Sequence, residues 1–231
     1  MTRLGVVGAL EPEIRAFGVR SSRSRSGEGF TGAIMPAVCG VGAERAYRAG
    51  KRLVEEGATA LVSWGTAVAL GPTLRPGSLL LPDRIIADAG REFNVDAEWR
   101  QRVRARLPRE LDVHAGALAE TRRPLLSATQ KASLAQSSGA AAADMESAAL
   151  AALAHEAGVP LLVVRAIVDS AVQAIPARLA AATRADGSLC IASTLAWLVV
   201  TPAEWPTTLR LAFGFRAALR TLQRVAGEVR D

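Results

Sequence analysis

Two acidic points in the stretch from Ala140 to Ala171 are spaced to act on one ligand. Asp144-Met145-Glu146-Ser147 opens an alanine-rich helix running from Ser147 to Glu156. Gly158-Val159-Pro160 closes that helix, and Arg165-Ala166-Ile167-Val168-Asp169 ends the apolar run that follows. The order is loop, helix, turn, strand. In such a unit a carboxylate at the helix entrance and one at the carboxyl end of the next strand face the same crevice, where open α/β sheets bind ligands. Carboxylates held there can move protons or grip hydroxyl groups. A third acid, Glu13, sits just past a first strand, Leu4 to Gly8, in a short helix from Pro12 to Phe17 begun by proline in its first turn. Each acid also has a plain structural reading. Glu13 and Glu146 can complement a helix dipole, and Asp169 can cap a helix or pair with Arg165.

The elements that must hold these residues read as one α/β domain, residues 1–231, long enough for one substantial core. Ala33 to Cys39, Thr59 to Trp64, Ser78 to Ala87 (interrupted by Pro82) and Val113 to Leu118 are further strand candidates. Helices are predicted from Gly40-Val41-Gly42 to about Glu56, over Ala97 to Leu107 and over Ser127 to Ser137. Beyond Asp169 they are predicted over Leu179 to Thr183, Leu189 to Val200 and Pro206 to Val225. Gly40-Val41-Gly42 looks like part of a dinucleotide fingerprint, but Arg45 stands where the third glycine belongs. It reads instead as a tight turn whose N–H groups suit a phosphate or ribose oxygen. Gly65-Thr66-Ala67, at the end of a strand, are small enough for a ligand to approach the backbone.

The net charge of +6 comes almost entirely from arginine, yet no nucleic-acid signature accompanies it, and aromatic residues, at 4%, are too few for a stacking platform. Arg216, Arg220 and Arg224 form a basic stripe opposite the apolar Leu211, Phe215, Ala218, Leu222 and Val225 on the last helix. That pattern fits a solvated face and also an anionic membrane surface. Cys39 and Cys190 lie too far apart for metal or redox spacing and read as buried thiols, so neither metal nor cofactor is expected. Arg20 to Gly27 is a polar loop. The amino terminus does not fit a signal peptide and Leu195 to Val200 is too short to span a bilayer, which reads as a soluble cytoplasmic protein. His114 and His155 have no evident partner and no nucleophile elbow appears, against a serine hydrolase.

Four segments in order resemble the nucleoside phosphorylase and methylthioadenosine/adenosylhomocysteine nucleosidase superfamily. They are Gly5 to Glu13, Gly40-Val41-Gly42, Ser63-Trp64-Gly65-Thr66-Ala67, and Asp144 to Ser147 with Arg165 to Asp169. The tail, Ile175-Pro176 through Asp186-Gly187 and Pro206 to Leu222, is most similar to the hopanoid-associated phosphorylase branch. The resemblance implies a three-layer phosphorylase-like fold with a mixed twisted sheet flanked by helices. It also implies homo-oligomeric assembly and cleavage of the N-glycosidic bond of an adenine nucleoside with a bulky apolar 5′ group, adenosylhopane-like.

Such a bond breaks through an oxocarbenium-like state, with positive charge on the sugar and negative charge on the leaving base. By resemblance, Asp169 protonates the purine at N7, Glu146 holds the ribose 2′ and 3′ hydroxyls, and Met145 packs on the sugar. The co-substrate is phosphate or water. The branch implies phosphorolysis, with Thr66 and the backbone of Gly8 and Gly65 as phosphate ligands beside an arginine such as Arg45. Glu13 stands where nucleosidases orient a water, and the positions matched to the phosphate-holding arginines of phosphorylases carry Pro12 and Ser63. Val168 replaces the small polar residue that often precedes the family's aspartate. The alternatives are a methylthioadenosine/adenosylhomocysteine nucleosidase and a nucleoside-binding protein without the chemistry.

Overall fold

β3 (Ala60–Ala69) is the axis of the computed structural model, which describes residues 2–19, 34–88, 90–176 and 205–230. Along one edge β3 pairs in parallel with β10 (Leu161–Asp169). Its other edge is shared. β1 (Leu4–Gly8) runs parallel to Ala60 through Ser63, and β9 (Ala142–Asp144) runs antiparallel to Val68 and Ala69. Between those partners, from Trp64 to Ala67, no described strand lies beside β3 on that edge. β2 (Ile34–Val38) extends the sheet from β1. Beyond β9 come β8 (Ala117–Glu120), β5 (Arg84–Ile86) and β6 (Glu92–Asn94), and beyond β10 come β4 (Leu79–Leu80) and β7 (Val113–His114). The sheet is mixed, as expected.

Both faces of the central strands are apolar because helices cover both. Leu61, Val163 and Ile167 pack with Leu53 of α2 (Ala43–Glu55) and with Leu150 and Leu153 of α5 (Ser147–Ala157). Val62, Trp64, Leu162 and Val164 face the other way, onto Ile14 of α1 (Glu11–Ala16), Val103 of α3 (Ala97–Arg106), and Leu222 and Val225 of a long carboxyl-side helix at Trp205–Arg230. α4 (Ala128–Ser138) packs Leu134 and Ala135 on a third, smaller cluster; the helix at Trp205–Arg230 is α6. Each fully buried side chain of this kind contributes about 1.5–3 kcal/mol. With both faces apolar, that burial fixes register poorly, and the polar residues must do so. A slip of β10 by one residue would carry the Arg165 guanidinium to the opposite face, away from Asp144, its buried partner at 2.7 Å.

α6 shows the expected stripe, with Ala218, Leu222 and Val225 buried and Arg216, Arg220 and Arg224 exposed. Gly214 lies on its buried face, where a Cβ would stand 2.0 Å from the Val168 carbonyl oxygen, so only glycine lets α6 reach the end of β10. No described helix is long and apolar enough to cross a membrane.

Three local readings change. β3 continues past Trp64 through Gly65-Thr66-Ala67, because β10 keeps pairing there. The Ser78 to Ala87 run divides into β4 and β5 around Pro82, which has no N–H to give a ladder. Val113 to Leu118 divides at Gly116, whose φ of +131° turns the chain between β7 and β8. β6 and β9, three residues each, are too short to carry an alternating pattern. The predicted helices over Leu179 to Thr183 and Leu189 to Val200, the Arg20 to Gly27 loop and Cys190 lie outside the described residues.

Candidate active site

A cavity of about 170 Å³ opens at the interval of β3 where no described strand lies between β1 and β9 on that edge, with Glu13, Gly65, Thr66, Asp144, Met145 and Glu146 among its walls. Of the residues singled out in the sequence, Glu13, Gly65, Thr66, Met145 and Glu146 come together here. Gly8 and Asp169 do not line it. At Gly8 a Cβ would press on Ile14 at 2.9 Å, which makes that glycine a packing requirement of β1 against α1.

Glu13 is 2% exposed and both its oxygens are engaged. Oε2 accepts the backbone N–H of Leu10 at 2.9 Å and so closes the start of α1. Oε1 accepts the backbone N–H of Thr66 at 2.9 Å and its hydroxyl at 2.8 Å. The Thr66 N–H is available because no described strand claims it. Gly65 has no side chain because a Cβ there would stand 2.9 Å from Glu13 Oε1. Burial pushes the Glu13 carboxyl up, and the Thr66 hydroxyl is the largest influence holding it down. Thus the helix-capping role and a place in the cavity are both real for this residue.

Glu146 does not cap its own helix. It stands at the N-cap of α5 with no side-chain cap bond, while the Asp144 oxygens accept the Ser147 N–H at 3.3 Å. Glu146 instead takes the Gly42 N–H on Oε1 at 2.8 Å, the donor that the sequence offered to a phosphate or ribose oxygen. Its pKa is raised to about 7, first by burial and next by the charge of Asp144.

Arg165 supplies the positive charge under this wall. Its Nε donates to Asp144 Oδ2 at 2.7 Å, and its Nη2 donates to the hydroxyls of Ser63 at 2.7 Å and Ser147 at 2.9 Å. Ser63, matched by resemblance to a phosphate-holding position, is therefore committed to Arg165. Among the described residues, three carboxylates around the cavity face one guanidinium. That balance favours a cationic sugar and opposes an inorganic phosphate dianion.

Asp169 is placed differently from the expectation of a carboxylate in the crevice. It is fully buried, and its Oδ2 accepts from Lys131 Nζ at 2.5 Å, so the predicted ion pair with Arg165 is not the one made. The register of β10 on β3 shifts between Ile167 and Asp169, a bulge that leaves Val168 lining the cavity and Asp169 out of it. Burial pushes the Asp169 carboxyl up and Lys131 opposes that shift. Sequence reasoning missed Lys131 and the Asp144–Arg165–Ser63–Ser147 network. The available signal for the first was compositional: Lys131 and Lys51 are the only lysines among many arginines.

Cys39 offers no nucleophile, since burial above all pushes its thiol up to about 12. His114 pairs with Asp112 at 2.8 Å and does not line the cavity.

Residues 3–187 match the Phosphorylase superfamily. No curated protein matches the chain. Among solved structures the fold is shared with 5′-methylthioadenosine/S-adenosylhomocysteine nucleosidase of Helicobacter pylori, at 16% identity and a TM-score of 0.75, over 99% of this chain and 97% of that one. It is shared equally with futalosine hydrolase of the same organism, at 16% identity and TM-score 0.74, covering 99% and 97%. The nucleosidase of Neisseria meningitidis, in complex with methylthio-immucillin-A, gives 17% identity and TM-score 0.73, covering 99% and 98%.

Proposed function

This chain belongs to the phosphorylase superfamily, and from that premise we propose that it hydrolyses the N-glycosidic bond of a 5′-substituted adenine nucleoside, releasing adenine and the free sugar. The observation that carries hydrolysis is the contact of Glu13 with Thr66. The N–H and hydroxyl that a phosphate would use are both given to a carboxylate. A carboxylate in that place repels phosphate and suits a water.

In the reaction proposed, Glu13 takes a proton from water as the water oxygen bonds to the anomeric carbon. The bond from that carbon to the purine nitrogen breaks, and its electrons pass to the base. Glu146 accepts from the 2′ and 3′ hydroxyls and its charge steadies the cationic sugar, with Met145 against the ring. Asp169 gives the leaving purine its proton, which requires the bound base to displace the Val168 wall that separates this carboxyl from the cavity. The nucleosidases and the futalosine hydrolase that share the fold support the reaction class. The apolar 5′ group and the hopanoid-associated branch rest on the resemblance of the tail, and the apolar cavity walls Leu10, Val41, Leu125 and Ile175 support an apolar substituent.

Phosphorolysis, which the tail resemblance favours, is the second reading and requires Glu13 to release Thr66. Incubation with 5′-methylthioadenosine and with longer 5′-alkylthioadenosines, with and without phosphate, tests both. Adenine and free sugar in either condition are expected. Sugar 1-phosphate formed only with phosphate overturns hydrolysis, and binding without adenine release overturns the enzymatic reading.

A further inference from the structure

Lys131 lies in the first turn of α4 with its side chain wholly buried, and Nζ reaches three acceptors. They are Asp169 Oδ2 at 2.5 Å and the carbonyl oxygens of Ser170 and Gln173, each at 2.9 Å. Three N–H groups meet three oxygens, which satisfies the ammonium completely. A compact point charge suits three convergent acceptors where a planar guanidinium does not, a reason for lysine here in a chain whose cations are otherwise nearly all arginine. The frame around it is fixed. Ser127 and Gln130 cap the start of α4 reciprocally, Gln130 also holds the Leu126 N–H at 2.7 Å, and Ile175 donates to the Leu126 carbonyl at 2.9 Å.

On the acceptor side, Oδ2 of Asp169 is committed, while Oδ1 is buried with no hydrogen-bond partner among the described residues. The β3 residues in register with the end of β10, Ala67 and Val68, carry no charge, and neither does Gly214, which α6 packs on Val168. Among the described residues, Lys131 is the cation acting on this carboxyl.

We propose that Lys131 is a positioning residue for Asp169: it holds Oδ2 so that Oδ1 alone is left to meet the leaving base, and its charge sets how readily the carboxyl gives up its proton. The inference rests on the assignment of Asp169 as the acid of the cleavage. The Oδ1 proton passes to the purine as the glycosidic electrons move onto the base. The carboxylate left behind is held by an ammonium that keeps its own three protons.

The test reads the Asp169 carboxyl directly, by its carbon-13 shift against pH in the unliganded full chain. In Lys131→Gln the midpoint rises by about 1–3 pH units, because an opposite charge within hydrogen-bond distance lowers a carboxyl by that much. An unchanged midpoint overturns the proposal. Should Lys131→Gln fail to fold, the unmodified protein decides: the Lys131 Nζ nitrogen-15 shift must follow the Asp169 midpoint, and an Nζ signal blind to it overturns the proposal. With 5′-methylthioadenosine, the limb of kcat that falls as the acid deprotonates moves up by the same interval with KM little changed, which loss of a merely structural contact does not produce. Asp169→Asn separates the two readings. Unchanged kcat in that variant removes the acid assignment beneath the proposal, whereas lost kcat beside an unmoved limb in Lys131→Gln overturns the Lys131 inference alone.

Discussion

Glu13 and Thr66, 53 residues apart, meet twice on one oxygen, at 2.9 Å to the backbone N–H and 2.8 Å to the hydroxyl. The contact exists because β1 leaves the edge of β3 at Ser63 and β9 joins it only at Val68. A backbone donor that a longer β1 would have consumed is left to orient a carboxylate.

Thr66→Val keeps the branched shape at a strand position and removes the hydroxyl. Since that hydroxyl is the largest influence lowering the Glu13 carboxyl, its pKa rises further. The limb of kcat/KM on which rate grows as Glu13 deprotonates therefore moves to higher pH, with kcat reduced about tenfold, at the low end of what positioned acid–base groups contribute. A pH–rate profile superimposing on that of the unmodified protein would count against Glu13 as the base.

Glu146 makes unliganded stability depend on pH in a stated direction. Its carboxyl, 4.5 in the ordinary case, is raised to about 7 in the fold. Between those values the folded chain keeps a proton that the unfolded chain has lost, so stability falls as pH rises from about 4.5 to 7 and is level above. Glu146→Gln, which can still accept from Gly42, should be more stable than the unmodified protein at pH 8 by about 1–3 kcal/mol and no different below pH 4.5. Urea unfolding at the two pH values checks it. Nucleoside affinity in the unmodified protein should weaken below pH 7, as the carboxylate needed by the ribose hydroxyls becomes protonated.

Arg165→Met removes the cation from a buried network and leaves Asp144 without its 2.7 Å partner. The loss is about 3–5 kcal/mol, as for breaking a buried pair from one side. Arg165→Met with Asp144→Asn should recover part of it, and a double variant no more stable than the single one would show that the pair is not the unit.

Gly214 and Gly227 lie on the same helix and should respond oppositely to alanine. At Gly214 the new Cβ meets the Val168 carbonyl at 2.0 Å, so α6 must move off β10, at a cost of about 1–3 kcal/mol. At Gly227 a Cβ meets nothing within 4 Å, and alanine should stabilise by about 0.5–1 kcal/mol. Thermal melts of the two variants read the difference, and adenine release should fall in the first alone.

The order of elements was legible because it is written locally. Alternation and apolar runs gave β1, β2 and β10, the run from Ser127 to Ser137 gave α4, and Gly158 after an alanine-rich run gave the end of α5. The motifs also named five residues that now share one cavity, Glu13, Gly65, Thr66, Met145 and Glu146. Sequence alone could not assign partners. Asp144, Asp169 and Glu146 are near one another in sequence and look alike as acids. Yet Arg165 goes to the first, Lys131 to the second, and the third has, among the described residues, backbone donors from Gly42 and Met145. Those choices depend on strand register, on a bulge at Val168 and on where β1 stops. Each sets distances of a few ångströms between residues tens of positions apart, and charge interactions at that range are decided by distance and burial, which residue type does not encode.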